Sequence, residues 1–176
     1  MRFDEVISRR GTHSEKWDKI EDLYGVSSDV GIPMWVADMD FRPPDCVQQV
    51  LNRLISHGIY GYYGNDVKYR EAICWWMKHR HGWEFDPNSI FTTHGLVNGT
   101  ALCVEAFSKP GDGIVLFTPV YHSFFRILEA NDRQIVQCPL ILEKGKYKMD
   151  FELYNSMMTG NEKMLILSSP HNPGGR

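Results

Sequence analysis

The sequence predicts an α/β domain: a largely parallel sheet with helices on both faces. Three observations predict it. From residue 89 onward, short strand-like runs alternate with segments of helical period. Two of those runs, 114–117 (Ile-Val-Leu-Phe) and 164–167 (Met-Leu-Ile-Leu), are continuously apolar, as strands covered on both faces are. Turns rich in Gly, Pro and Asp separate them, and strands alternating with helices imply right-handed β-α-β units.

The first forty or so residues are irregular and rich in charge, Gly and Ser, and read as an N-terminal arm lying over something else. After Arg42-Pro43-Pro44-Asp45, the residues Val47, Val50, Leu51, Leu54 and Ile55 fall on one helical face, and Gly58 stops the helix. A second helix is expected over 66–80, with Asp66 able to cap it and Gly82 closing it. Residues 89–93 read as a short strand, 96–107 as a helix and 109–113 as a turn. A buried strand at 114–117, a helix over 121–130 and a strand over 134–138 follow. Lys144-Gly145-Lys146 suits a tight reversal, Asp150 a helix cap, and 164–167 a further buried strand.

Composition narrows the function. With 19 Lys and Arg against 22 Asp and Glu, the net charge of −3 speaks against a nucleic-acid partner held through phosphates. No run approaches the roughly 20 apolar residues of a membrane span, and Met1-Arg2-Phe3-Asp4-Glu5 lacks a signal peptide's apolar region. Cys46, Cys74, Cys103 and Cys138 include no Cys-x-x-Cys pair, so reduced thiols in the cytoplasm are expected, with no metal site. His79-Arg80-His81 reads as a solvated helix end, and the Asp38/Asp40 pair as structural.

Ligands of open α/β sheets bind beyond the C-terminal ends of the strands. Three such ends carry unusual residues. Thr92-Thr93-His94-Gly95-Leu96-Val97-Asn98-Gly99 is a glycine-bearing turn into a helix, either a plain turn or a place where backbone N–H groups meet an anion. It matches neither a Walker A loop nor the full dinucleotide fingerprint. Thr118-Pro119-Val120-Tyr121 sets an aromatic directly after a buried strand, as a rim residue or as a platform for a planar ligand. Ser168-Ser169-Pro170-His171-Asn172-Pro173-Gly174-Gly175 is the most specific local signal. Its prolines stiffen the backbone and would hold the Asn172 amide in one place, unless the segment is a plain turn.

Taken together, the chain resembles the pyridoxal-phosphate enzymes of the aspartate-aminotransferase fold (fold type I, class I/II), and within them the cystathionine β-lyase, or C–S lyase, branch. Residues 3–18 (Phe-Asp-Glu-Val-Ile-Ser-Arg-Arg-Gly-Thr-His-Ser-Glu-Lys-Trp-Asp) are similar to one signature of that branch, Trp35-Val36-Ala37-Asp38-Met39-Asp40-Phe41 to a second, and 169–176 to a third. The resemblance implies a three-layer sandwich, with 1–45 as arm and small-domain segment and 46–176 as the first half of the cofactor-binding large domain. It implies pyridoxal 5'-phosphate as cofactor, an amino-acid substrate and a homodimer. Backbone amides around Gly95, Leu96 and Val97 would hold the cofactor phosphate, Tyr121 would stack on its ring, and Asn172 would donate to its phenolic oxygen. Tyr62, in Tyr60-Gly61-Tyr62-Tyr63, would reach the phosphate in the neighbouring subunit, and Ala37 would lie by the substrate carboxylate. Asn98 stands where that branch carries proline.

The same resemblance implies that the Schiff-base lysine, the aspartate at the pyridine nitrogen and the arginine for the substrate carboxylate lie beyond Arg176. No catalytic residue is therefore expected in this chain, which reads as the N-terminal half of an enzyme. In the intact family the lysine removes the Cα proton and a thiolate leaves Cβ, so cystathionine or cysteine yields a thiol or sulfide, pyruvate and ammonia. An aminotransferase of the same fold, and a non-catalytic remnant, are the alternatives. Stacking plus one helix terminus supplies about 1–4 kcal/mol, while micromolar binding needs about 8 kcal/mol. The chain by itself is thus expected to bind cofactor weakly, to turn over nothing, and to be poorly soluble for want of a strand along its last apolar edge.

Overall fold

A computed structural model describes residues 3–175, which fall into two compact units that divide between Asp66 and Val67.

In the first unit the arm is more ordered than its composition suggests. It forms two short helices, α1 (Glu15–Asp18) and α2 (Ile20–Tyr24), before α3 (Asp45–His57). Local polar groups make α1 possible: Ser14 Oγ accepts from the Trp17 N–H at 3.3 Å, and the Asp18 carboxylate accepts from the N–H groups of Gly11 (2.8 Å) and Ser14 (2.9 Å). Those bonds, Gly11's foremost, hold the Asp18 carboxyl below its ordinary range. The glycine stop after α3 is in place, with Gly58 at φ 71° and its N–H on the Leu54 carbonyl. The stripe of Val47, Val50, Leu51, Leu54 and Ile55 lies along α3 with every member exposed.

In the second unit, α4 (Val67–His81) leads to a 3₁₀ turn (Pro87–Ser89) and α5 (Leu96–Phe107). The chain continues through β1 (Gly113–Thr118), α6 (His122–Ala130), β2 (Gln134–Pro139), β3 (Ile141–Glu143), β4 (Lys146–Lys148), α7 (Phe151–Met157) and β5 (Glu162–Ile166). The main sheet is parallel with order β2-β1-β5. Strands β3 and β4 form a separate hairpin, whose turn residues Lys144 and Gly145 both have positive φ (49° and 74°), the twist a two-residue hairpin requires. Asp150 caps α7 as expected, accepting from the Leu153 N–H at 3.0 Å.

Strand β1 explains the layering. Its period of two sends Ile114 and Leu116 to one face, where they pack with Val104 of α5 and Ile127 and Leu128 of α6. Val115 and Phe117 go to the other, against Cys138 of β2 and Tyr154 of α7. Helices therefore cover both faces of the sheet. Arg133 locks the first layer. Its side chain is only 2% exposed, and its guanidinium donates to the carbonyls of Ser108 (2.8 Å) and Asn131 (2.6 Å), to Ser108 Oγ (3.0 Å) and to Glu105 (2.8 Å). It thereby satisfies carbonyls at the C-terminus of α5 from the start of β2.

Two sequence expectations need correction. Residues 89–93 form no strand: Ile90 is extended (φ −87°, ψ 121°), but the run pairs with no strand among the described residues. The carbonyls of Pro87 and Ile90 bond instead to Arg70 Nη1, each at 2.8 Å. The run 164–167 is half-buried rather than buried. Met164 and Ile166 join the α5/α6 core, while Leu165 and Leu167, on the opposite face, are exposed.

Candidate active site

From β1 the chain crosses by α6 to β2 on one side, then returns past β1 to β5 on the other. The C-terminal ends of β1 and β5 therefore flank a topological switch point, where a crevice opens in sheets of this kind. Helix α5 ends five residues before β1 and is pinned at its C-terminus by Arg133. It runs back along the strand, so its N-terminus lies at the same end of the sheet as Thr118.

That N-terminus is built for close approach. Gly95, the N-cap, has φ 88° and ψ 161°, no side chain caps the helix, and nothing lies within 4 Å of where a Cβ would stand. The first intrahelical bond runs from the Gly99 N–H to the Gly95 carbonyl (3.0 Å), so the N–H groups of the turn before it lack helix partners. Thr93 Oγ1 donates to the Gly95 carbonyl at 3.1 Å and fixes the loop. Gly99 permits this, because a Cβ there would stand 2.8 Å from Thr93 Oγ1. Leu96 and Val97 are exposed. Open backbone, unpaired N–H groups and the positive end of a helix together suit a phosphate group.

The other two strand ends are tied to each other. Tyr121 is the N-cap of α6, its ring held in edge contacts with His122 (4.9 Å) and Phe124 (5.6 Å). After β5, His171 Nε2 lies 2.7 Å from the Pro119 carbonyl oxygen, across 52 residues of sequence. Asn172, adjacent to that contact, is exposed, and its side chain has no hydrogen-bond partner among the described residues. An aromatic ring and a free amide at this end suit a planar ligand with a polar rim.

Ala37 and Tyr62 lie in the first unit. Ala37 is exposed and precedes a dense polar node. There Asp40 accepts from Lys16 Nζ (2.7 Å), Trp17 Nε1 (2.9 Å) and Arg9 Nη1 (2.8 Å), while Arg9 Nη2 also pairs with Asp38. Lys16 first, then Trp17 and Arg9, hold the Asp40 carboxyl well below the carboxylate range, and Arg9 foremost lowers that of Asp38. The node joins residues 9–17 to the 35–41 segment, and Trp35 Nε1 adds a bond to the Lys16 carbonyl at 3.1 Å. The paired aspartates are thus structural, as their spacing suggested, and their partners are Arg9, Lys16 and Trp17. Tyr62 is fully exposed in the loop after α3. The His79 ring stacks on Trp75 at 4.5 Å, and among the described residues no cluster of metal-ligating side chains forms.

The contact that sequence reasoning missed is His171 to Pro119. Its only signal was a histidine placed between two prolines, which says that the backbone is held but not what the ring meets.

A topological switch point with a helix N-terminus, an aromatic N-cap and a stiff asparagine loop at the same end of the sheet defines an α/β domain of the fold type I, aminotransferase-like kind. The chain belongs to the aminotransferase class I and II family, whose model matches residues 32–176. It is similar to cystathionine beta-lyase PatB of Bacillus subtilis, 44% identical over 177 residues, covering 100% of this chain and 45% of that protein. Among solved structures it is similar to cystalysin from Treponema denticola, which contains a pyridoxal 5'-phosphate cofactor. That likeness has a TM-score of 0.91 and 35% identity, over 99% of this chain and 45% of cystalysin. It is also similar to the pyridoxal-phosphate-bound C–S lyase of Staphylococcus hominis, with a TM-score of 0.88 and 33% identity, over 100% of this chain and 44% of that one. The chain thus spans about half the length of the relatives it matches. No described helix is long and apolar enough to cross a membrane.

Proposed function

We propose that the full-length protein carrying this chain is a pyridoxal-phosphate-dependent C–S lyase. It would convert cystathionine or cysteine to a thiol or sulfide, pyruvate and ammonia. The observation that carries the reading is the convergence at one end of the sheet of an uncapped helix N-terminus, Tyr121 and the Asn172 loop. Similarity to cystathionine beta-lyase PatB along the whole chain supports the choice of branch.

The residues present fit the cofactor. Backbone amides around Gly95, Leu96 and Val97 would hold its phosphate: the N–H groups of Leu96 and Val97 would donate to it, where the helix end favours negative charge, while Gly95, whose N–H donates to the Thr93 carbonyl at 2.9 Å, would keep the turn open. Tyr121 would lie against the ring, worth about 0.5–1.5 kcal/mol beyond area burial. The Asn172 amide would donate to the phenolic oxygen, and the Ala37 segment, held by the Asp40 node, would border the substrate carboxylate. Tyr62 would serve the phosphate of a second subunit in a homodimer. When bound, the cofactor supplies an electron sink for charge developing at the substrate Cα. This chain's own part is to hold, orient and screen; the catalytic lysine is expected beyond Arg176, and the chain by itself is expected to be inactive. In this reading 1–45 are the arm and small-domain segment, 46–176 are the first half of the large domain, and the protein works in the cytoplasm.

The test uses the full-length protein with pyridoxal phosphate. A band fixed covalently by borohydride, with release of pyruvate and thiol from cystathionine, is the expected result. Glutamate formed from an amino acid and 2-oxoglutarate would instead favour the second reading, an aminotransferase, which the family match supports.

A further inference from the structure

We propose that His171 is a positioning residue. By donating its Nε2–H to the Pro119 carbonyl, it fixes the Asn172 amide relative to the loop that carries Tyr121. The inference deepens the functional reading above and rests on its assignment of those two residues.

A carbonyl oxygen only accepts, so at 2.7 Å the Nε2 atom must carry the proton. The acceptor is well defined. After β1, the Thr118 carbonyl takes the Leu140 N–H at 2.7 Å, which leaves the Pro119 carbonyl as the next one available at this strand end. Gly174 also lies close against the ring. A Cβ on Gly174 would stand 3.3 Å from His171 Cδ2 and 2.9 Å from Tyr147 Cδ2, so a glycine is needed where the loop closes over the two rings. With Leu140 and Met149 these groups line a cleft of about 200 Å³. The Gly175 N–H returns to the His171 carbonyl at 2.6 Å and closes the turn around Asn172. Asn172 itself has no bond of its own among the described residues, so its placement depends on its neighbour.

The chemistry suggests a discriminating pair of variants. In His171→Gln the amide nitrogen reaches the position of Nε2 and can donate to Pro119. In His171→Asn the nitrogen reaches only as far as Nδ1. Both would be made in the full-length protein. Two measurements apply: the two-bond ¹H–¹⁵N spectrum of the His171 ring in the parent, and titration of each variant with pyridoxal phosphate followed by the cofactor's absorption band. The expected results are a ring protonated at Nε2, a Kd raised about three- to tenfold in His171→Asn with a displaced band, and parental Kd and band in His171→Gln. A neutral ring protonated only at Nδ1 would overturn the proposal, as would an Asn variant with parental affinity and band. A parent that binds no pyridoxal phosphate would overturn the functional reading instead, and the ring spectrum would still decide whether the clamp exists.

Discussion

The Lys16 ammonium lies 2.7 Å from the Asp40 carboxylate, with the lysine buried beneath the segment it holds. Two stretches that look unrelated in sequence, 9–17 and 35–41, are thereby one structural object. Asp40→Asn should destabilise it by about 1–2 kcal/mol, a partly exposed charged hydrogen-bond network losing its central acceptor. With Trp75, Trp76 and Trp83 replaced by Phe, urea unfolding followed by the emission of Trp17 and Trp35 reads this directly. An unchanged midpoint would refute the node's structural role.

Acid should act on the same node. The Asp40 carboxyl is held below its ordinary value of 3.8, so its contribution is complete above that value and is lost as pH falls through the lowered one. The parent's Trp17/Trp35 signal should therefore hold steady from neutrality to about pH 4 and change below it. In Asp40→Asn the acid step should be smaller.

Arg133 predicts a larger effect. Arg133→Met removes every donor from a cluster of carbonyls at the end of α5 and should cost about 3 kcal/mol. Glu105→Gln, altering a partner that is 58% exposed, should cost under about 1 kcal/mol. Chemical denaturation of the two variants side by side tests the ranking, which equal costs would refute.

The phosphate loop predicts a coupling. Gly99→Ala forces a methyl against Thr93 Oγ1 and should loosen the Gly95 loop, weakening pyridoxal-phosphate binding about tenfold or less. Thr93→Ala alone also weakens binding, through loss of its bond to Gly95. The double variant should be no worse than the worse single one, because the clash and its target vanish together. Strict additivity in titrations would contradict the geometry.

Cys138 of β2 is fully buried in the layer that α7 covers, and burial, with Glu162 secondarily, pushes its thiol up. An aromatic disulfide reagent should modify it about a hundredfold more slowly than Cys46 under native conditions, and at the same rate in denaturant. Peptide mapping of the labelled protein measures both.

Much of the second unit was legible in the sequence because its signals are local. Helix α5 follows from periodicity and its glycine, β1 from an unbroken apolar run, and the hairpin from Lys144-Gly145. The 89–93 run failed as a strand because a strand is made by the partner it pairs with, which no local pattern records. Leu165 and Leu167 failed as buried residues for a similar reason: apolarity says that a side chain would gain from cover, not that cover is there. The aspartate pair was correctly read as structural, yet Arg9 and Lys16 could not be matched to it from spacing, since the pairing spans a loop. At the candidate site the residue types and their order were readable from motif, whereas the bond between His171 and Pro119 exists only once β1 and β5 stand side by side.

The order of strands also has a consequence for synthesis. β1 accepts β2 as soon as the chain has passed through α6, but its other edge waits for β5, roughly forty residues after β1. At a ribosome adding about 5–20 residues per second, that edge of the most apolar strand stays open for about 2–9 s. Through that interval the nascent domain offers an unsatisfied ladder to any passing strand, and a chaperone that shields the 113–118 edge would guard the one moment when this fold is most easily diverted.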